Sequence, residues 1–270
     1  MLTQHGKERV IAPVLEAALG CRVEQVGGFD TDTLGSFSRD IPRAGTQIEA
    51  ARRKARIGME RSGLPLALAS EGAFGPDPMA GLFPWNVELL LFIDAERGIA
   101  VTGMAQQATR FAHLLTDDWE QAAQFAHQAG FPEHRLMVRS QGQDDPRIEK
   151  GLAAWTALEA AFHRARGLAE NGRVFLENDV RAHAHPTRME VIRLAAKDLA
   201  AKLDSACPAC GAPGFWVVER LRGLPCADCG APTQEVRADI YGCLKCAHRE
   251  TRARVGVEHA DPGRCDYCNP

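Results

Sequence analysis

The cysteines are the feature that most constrains what this chain can fold into. Eight of its nine cysteines form four C-x-x-C pairs near the carboxyl end, and Cys21 stands alone. The pairs are Cys207 with Cys210, Cys226 with Cys229, Cys243 with Cys246, and Cys265 with Cys268. A disulfide framework is not expected to confine its cysteines to adjacent pairs at one end of a chain without an apolar leader. Eight thiolates in four short turns instead predict two structural zinc sites with four cysteine ligands each.

The spacing of the pairs leaves the grouping of the ligands open. The spacers are 15, 13 and 18 residues long, which is enough for the hairpin strands of a zinc ribbon. Residues 215–218 and 233–241 are the strand candidates. Neighbouring pairs, nested pairs or interleaved pairs would all satisfy these lengths. The sequence therefore predicts a zinc-ribbon-like domain over residues 206–270 without choosing among the three arrangements.

The charge of this domain bears on its partners. Lys and Arg balance Asp and Glu over residues 206–270, and each zinc bound by four thiolates adds net negative charge. Nucleic-acid affinity depends on neutralising phosphates, so nucleic acid is not expected as a partner. The alternative is a local basic patch formed by Lys245, Arg249, Arg252 and Arg254. A stabilising role or a protein contact is favoured, because so small an apolar core can hardly fold without metal.

The hydropathy of the sequence indicates in which cellular compartment the protein is expected. The longest unbroken apolar run covers residues 89–93, far too short to span a bilayer. The first ten residues lack the apolar core of a signal peptide. We therefore expect a cytoplasmic protein with no membrane partner.

Residues 1–205 are predicted to form an α/β domain, with a mixed-sheet first part and a mainly helical extension from about residue 105. The predicted helices cover 7–19, 47–62, 106–115, 118–129, 149–169 and 187–203. The predicted strands cover 66–70, 87–93, 99–102, 136–140 and 174–177. Loops are predicted over 30–43 and 71–84, where turn residues are frequent.

Three short stretches carry candidate chemistry. Thr3 and Lys7 open a helix, whose free amides suit a phosphate, although a solvated lysine is the simpler interpretation. Glu49 lies in a helix, where pairing with Arg53 would explain it structurally. Glu71 follows an apolar strand, where a carboxylate can bind Mg²⁺ or activate water, or can simply be solvated.

A fourth stretch alternates polar residues and is followed by Arg188; its members are Glu177, Asp179, Arg181, His183 and His185. Such a pattern is typical either of the wall of a site or of an exposed edge strand.

The first three stretches together resemble the inosine/xanthosine triphosphatase-like fold. Thr3 and Lys7 match its phosphate turn, and Glu71 with Gly72 matches its acidic strand end. Its Gly-Thr-x-x-Glu helix is matched by Gly45, Thr46, Glu49, Lys54 and Ala55, with Ala50 in place of the usual Asn. The opening strand of that fold would precede Thr3, where the sequence has only two residues, and a start codon upstream of Met1 is one explanation.

This resemblance implies a pyrophosphatase of non-canonical purine nucleoside triphosphates. Glu49 and Glu71 would then be the catalytic carboxylates that hold Mg²⁺ or Mn²⁺. Thr3, Lys7 and Lys54 would bind the substrate phosphates.

Over nearly its whole length the chain also resembles a bacterial family defined by a domain of unknown function. The shared motifs are HGKE, FDTDTLGSFS, ASEGAFGP, PWN, RAHAHPTRM and CDYCNP. That resemblance implies no activity. Two functional hypotheses follow: a metal-dependent phosphohydrolase acting on a nucleotide or related phosphate compound, or a non-catalytic zinc-ribbon adaptor that binds a protein partner.

Overall fold

The chain has a mixed α/β fold built from antiparallel sheets. A computed structural model describes residues 1–34 and 45–270. The helices are α1 (Glu8–Leu19), α2 (Gln47–Ser62), α3 (Trp119–Gln128), α4 (Trp155–Leu168) and α5 (Pro186–Asp204). The strands are β1 (Leu66–Pro76), β2 (Pro84–Asp94), β3 (Ile99–Ala108), β4 (His113–Thr116), β5 (Leu136–Ser140), β6 (Ile148–Leu152), β7 (Val174–Asn178), β8 (Trp216–Arg222), β9 (Val236–Gly242) and β10 (Arg249–Ala253). The predicted mixed α/β class and its two four-cysteine groups are confirmed.

The described residues divide into two compact units. The first unit comprises Met1–Asp94 and Thr102–Ala200, and the second comprises Ala95–Val101 and Ala201–Pro270. The domain boundary near residue 205 stays a prediction. Most of the loop predicted over 30–43 lies outside the described residues.

The first sheet of unit 1 has the strand order β1-β2-β3. Strands β1 and β2 pair antiparallel without interruption from Leu66 opposite Asp94 to Pro76 opposite Pro84. The predicted loop over 71–84 is therefore wrong for its first half, because the ladder to β2 continues through the glycines. The actual turn is closed by Asp77, whose carboxylate accepts four backbone N–H bonds from the residues between Met79 and Phe83. These bonds hold the pKa of Asp77 well below its usual range.

The second sheet has the order β4-β7-β5-β6, and its described pairs are antiparallel. Helices α3 and α4 supply Phe125, Leu158 and Phe162 to a core that also contains Leu136 and Leu176 of the sheet. The strands predicted over 136–140 and 174–177 are confirmed. The helix predicted over 106–115 is wrong, because pairing of β3 and β4 with neighbouring strands outweighs local helix propensity. The helix predicted from 149 begins only at Trp155, because β6 occupies residues 148–152.

Helix α5 packs closely against β3. A Cβ on Gly103 would lie 2.5 Å from the carbonyl oxygen of Ala195, so only glycine permits this approach. The Met104 amide also donates to the Asp198 carboxylate at 2.8 Å. These contacts fix the position of α5, whose first turn carries Arg188.

Unit 2 contains a three-stranded antiparallel sheet with the order β10-β9-β8. Gly242, at the end of β9, lies opposite both Trp216 at the start of β8 and Arg249 at the start of β10. No helix in the described ranges combines the length and the apolar character that a membrane crossing requires.

Candidate metal centres and a buried polar site

The eight paired cysteines of unit 2 form two tetrads. One tetrad consists of Cys207, Cys210, Cys243 and Cys246, and the other of Cys226, Cys229, Cys265 and Cys268. Within each tetrad all ligand atoms lie within 4.8 Å of one another. The grouping is interleaved: the first C-x-x-C pair joins the third, and the second joins the fourth.

The sulfur geometry fits zinc. The Sγ–Sγ distance is 3.8 Å between Cys207 and Cys246, and 3.6 Å between Cys210 and Cys243. The second tetrad has the same two values, 3.8 Å and 3.6 Å. Four sulfurs at the usual zinc–sulfur distance of about 2.3 Å lie about 3.8 Å apart at the corners of a tetrahedron. All nine cysteines are free of disulfides, so both groups can hold a metal ion and are consistent with zinc.

Tight turns hold the first two pairs in the same conformation. Each is followed by Gly-Ala-Pro, and the glycine amide donates back to the first cysteine: Gly211 to the Cys207 carbonyl at 2.8 Å, and Gly230 to the Cys226 carbonyl at 3.0 Å. Both glycines have positive φ, 69° and 70°, which other residues adopt only with strain. Backbone amides also donate to cysteine sulfurs: Asp228 to Cys226 at 3.4 Å in the second pair, and Lys245 and Cys246 to Cys243 at 3.3 Å in the third.

The strands explain the interleaving. Each spacer between consecutive pairs contains one strand, namely β8, β9 or β10. A chain that crosses an antiparallel sheet once between two turns leaves those turns at opposite ends. Alternate pairs therefore meet, and each tetrad holds one end of the sheet.

In unit 1, charged side chains from several elements converge in the interior. Lys54 of α2 pairs with Glu71 of β1 at 2.6 Å. Arg188 of α5 pairs with Glu88 of β2 at 2.7 Å, and both residues are fully buried. Lys7, at the start of α1, is 6% exposed and interacts electrostatically with all four of these groups. We call these five residues the buried polar site.

Lys7 is the unusual member of the site. Its ammonium group donates to the carbonyl oxygen of Ser70 at 3.1 Å and lies 3.3 Å from the Ser70 hydroxyl. Burial, followed by the positive charge of Arg188, lowers the pKa of Lys7 to about 7. Its amine is therefore poised between its two protonation states at neutral pH.

The other predicted site residues lie elsewhere or act structurally. Glu49 is not in the buried polar site: its carboxylate accepts from the Thr46 amide at 2.7 Å and closes a capping box at the start of α2. Thr3 is buried, and its carbonyl oxygen accepts from Gln25. Of the predicted catalytic and phosphate-binding residues, Lys7, Lys54 and Glu71 therefore lie in the buried polar site, whereas Glu49 does not.

The donors of unit 1 do not fit a Mg²⁺ or Mn²⁺ site. In residues 1–34 and 45–270, the only groups of three or more His, Cys, Asp or Glu that can share an ion are the two cysteine tetrads. Glu71 is bound to Lys54, and Glu49 caps its own helix.

Sequence reasoning missed the Glu88–Arg188 pair. In the sequence, Glu88 is a polar interruption of an apolar strand and Arg188 follows the alternating polar stretch, and nothing in the sequence joins the two. The Asn86 amide also donates to Glu88, at 3.0 Å. A Cβ on Gly72 would lie 2.5 Å from Nη2 of Arg188, so this glycine makes room for the pair. A charge within an apolar run is the one sequence signal that points to such an ion pair.

The alternating stretch from Glu177 is mostly buried. Of its five residues only Glu177 lies in a strand, and that strand, β7, is central in its sheet, so the edge-strand alternative is wrong. Glu177 pairs with Arg139 at 3.4 Å, and Asp179 pairs with Arg181. His183 alone is exposed, and it stacks on His5.

His185 is fully buried and positions Arg188. Its Nε2 lies 2.8 Å from the Arg110 carbonyl oxygen, and its Nδ1 accepts from the Arg188 amide at 3.2 Å. A carbonyl can only accept, so Nε2 carries the proton and the ring is neutral. Burial lowers the pKa of His185 to about 4, which keeps the ring neutral at physiological pH.

The fold and the tetrads define a mixed α/β protein with two four-cysteine groups, each of which can hold a metal ion. The chain belongs to the family described as Domain of unknown function (DUF6671), whose sequence profile matches residues 54–270. Comparison with curated proteins finds no match, and comparison with solved structures finds none. The resemblance to the inosine/xanthosine triphosphatase-like fold and the bacterial distribution of the family stay predictions.

Proposed function

We propose that this protein hydrolyses a nucleotide or related phosphate compound at the buried polar site of unit 1, and that the tetrads of unit 2 bind two structural zinc ions. The observation that supports the hydrolase is the convergence of Lys7, Lys54 and Glu71 from α1, α2 and β1. Lys7 and Lys54 would contact phosphate oxygens. Arg188, which sequence reasoning did not select, adds a third cation beside them.

The chemistry expected of this site is electrostatic. Phosphoryl transfer needs positive groups that are already in place where negative charge develops. A phosphate that attracts Lys54 would weaken its ion pair with Glu71, and the Glu71 carboxylate would orient the attacking water. Cations held in place by folding need little reorganisation during the reaction, which makes buried lysines effective in this role.

A substrate panel tests the hydrolase. Purified full-length protein is incubated with nucleoside triphosphates, with Mg²⁺, with Mn²⁺ and with a chelator, while phosphate and pyrophosphate are measured. We expect turnover that falls about 100-fold or more in Lys54→Gln and Glu71→Gln. Glu190→Gln is the matched control, because Glu190 forms an exposed pair with Arg193. No turnover of any substrate under all three conditions would overturn the proposal.

Metal analysis tests the zinc sites separately. We expect about two zinc ions per chain, since each tetrad supplies a complete four-thiolate shell. Iron, or no tightly bound metal, would contradict the assignment.

The second candidate function is a non-catalytic adaptor that captures a protein through unit 2. The observation that favours it is the exposure of Val255 at 98% and Tyr267 at 82%. In a cell that depends on this protein, an adaptor would tolerate Glu71→Gln and would fail after Val255→Ser with Tyr267→Ser. The hydrolase predicts the opposite result.

A further inference from the structure

The buried polar site carries more positive than negative charge. Its cations are Lys7, Lys54 and Arg188, and its carboxylates are Glu71 and Glu88. Each carboxylate already has a cation at 2.6–2.7 Å. In the part of the chain that the structure describes, Lys7 donates only to Ser70. A protonated Lys7 is thus a buried charge without a counter-charge of its own.

Among residues 1–34 and 45–270, the charged groups that act on Lys7 do not compensate its charge. The groups that act on it electrostatically are Arg188, Glu88, Lys54 and Glu71, from α5, β2, α2 and β1. Two of these groups are positive and two negative, so their charges cancel. His185, which precedes α5, is neutral in the tautomer that its hydrogen bonds require. The surplus charge of the site is therefore the charge of Lys7 itself.

We infer that the buried polar site binds a small oxyanion of the phosphate class, and that this binding is coupled to the uptake of one proton by the Lys7 amine. The choice of anion rests on the proposed function, whereas the proton coupling rests on the charges above. The proton comes from solvent and converts the neutral amine to an ammonium ion. No covalent bond other than that N–H bond forms or breaks.

The coupling follows from reciprocity. In the free protein the pKa of Lys7 is about 7, because burial disfavours its charged form. An anion beside the amine favours the charged form and raises that pKa. If the anion promotes protonation, then protonation promotes binding of the anion by the same factor. Above the free pKa, each pH unit must weaken anion binding up to about tenfold.

Sulfate is the probe that isolates the protein's proton, because it keeps its double negative charge between pH 6 and 9 whereas phosphate titrates there. Titration calorimetry of the zinc-loaded full chain in two buffers of different ionisation enthalpy gives the number of protons taken up. We expect almost none at pH 6 and about one per bound sulfate at pH 8.5. The affinity should fall by up to about tenfold per pH unit above 7.

Lysine substitutions test whether Lys7 is the group that takes up the proton. Lys7→Arg keeps a permanent charge and should bind sulfate without proton uptake and without the pH dependence. The matched control is Lys197→Met, which removes an exposed lysine of α5 and should behave like the wild type. Calorimetry of the wild-type protein in the two buffers tests whether sulfate binding is coupled to proton uptake, even if a Lys7 variant fails to fold.

The outcomes separate this inference from the hydrolase. Sulfate binding without proton uptake at any pH overturns the coupling but leaves hydrolysis open. Proton uptake that persists in Lys7→Arg would mean that another group takes up the proton, and this result also overturns the coupling to Lys7. No sulfate binding at any pH removes the anion site. Proton-coupled binding without turnover of any substrate supports the inference and overturns only the hydrolase.

Discussion

The two candidate metal centres of unit 2 and the buried polar site of unit 1 are built in opposite ways. Each metal centre uses one residue type, supplied in pairs by short turns that can be recognised in the sequence. The buried polar site uses five charged residues from five elements, and its Glu88–Arg188 pair spans 100 positions. The spacing of neighbouring cysteines in the sequence therefore identifies a candidate metal-binding turn. Only the fold shows which charged residues, distant in the sequence, lie close together.

The two regions also differ in what stabilises them. Unit 2 has a small apolar core, so metal binding is expected to supply much of its folding free energy. The folding of the buried polar site depends on its own ion pairs, which offset the cost of removing charges from water. Changes in the tetrads should therefore have larger effects than changes in the buried polar site.

The strongest test concerns the interleaved grouping of the cysteines. Cys207→Ser with Cys246→Ser removes two ligands from one tetrad, whereas Cys207→Ser with Cys229→Ser removes one from each. We expect the first variant to keep one tightly bound zinc and the second to lose both to a competing chelator, because structural zinc contributes about 10–16 kcal/mol only with its full shell. Zinc per chain after chelator competition is the measurement.

Cys21→Ser is the control for this experiment, since Cys21 belongs to neither tetrad. Two tightly bound zinc ions should remain in it. If Cys207→Ser with Cys229→Ser retained one tight site, those cysteines would share a tetrad and the interleaved grouping would be wrong.

The cysteine tetrads and their sheet show how much of unit 2 could be predicted from the sequence. The four pairs and the approximate positions of β8 and β9 were predictable from motifs and β-branched or aromatic runs. The grouping was not, because it depends on the third strand. Strand β10 has the sequence Arg-Glu-Thr-Arg-Ala and is largely exposed, so it lacks the apolar alternation that identifies a strand. With three strands recognised, one in each spacer, the interleaving would follow.

The buried polar site shows a different limit. Lys7, Lys54 and Glu71 were selected through a family resemblance, and the fold brings them together. Glu49 was selected in the same way, but its sequence also contains a capping box with Thr46, and that local role is the one observed. Arg188 could not be paired with Glu88 from the sequence, because the pairing depends on how α5 packs on the sheet.

The second test breaks the buried ion pair. Glu88→Gln keeps the shape of the side chain but leaves Arg188 buried without its counter-charge. We expect a loss of about 3–5 kcal/mol in the free energy of unfolding, measured by urea denaturation. Glu190→Gln, which breaks the partly exposed pair with Arg193, should change it by less than about 1 kcal/mol. Equal effects of the two changes would show that Glu88 has no special role.

The third test probes the space around that pair. In Gly72→Ala the new Cβ would meet Nη2 of Arg188 at 2.5 Å, so the pair must shift. We expect a loss of about 1–3 kcal/mol in the free energy of unfolding. Gly75→Ala is the matched change in the same strand, because nothing lies within 4 Å of its Cβ. A Gly72→Ala protein as stable as Gly75→Ala would mean that the pair is loosely packed.

The smallest effect is expected from Lys7, and it appears as a pH dependence. The pKa of Lys7 is lowered to about 7 in the folded protein from 10.5 in the unfolded chain. Between these values the unfolded chain binds more protons than the folded one, so this lysine makes stability rise with pH. Below pH 7 both states are protonated, and the full cost of burying the charge remains.

Lys7→Met removes this dependence. Relative to the variant, the wild type should gain about 1 kcal/mol of unfolding free energy per pH unit between pH 7 and 9, and nothing between pH 5 and 6. Urea denaturation of both proteins across this range, with Lys197→Met as control, measures the difference. Parallel pH profiles for wild type and Lys7→Met would show that Lys7 keeps an ordinary pKa. The buried polar site would then lack an amine that titrates near neutral pH. That amine is the feature that distinguishes the site from the candidate metal centres.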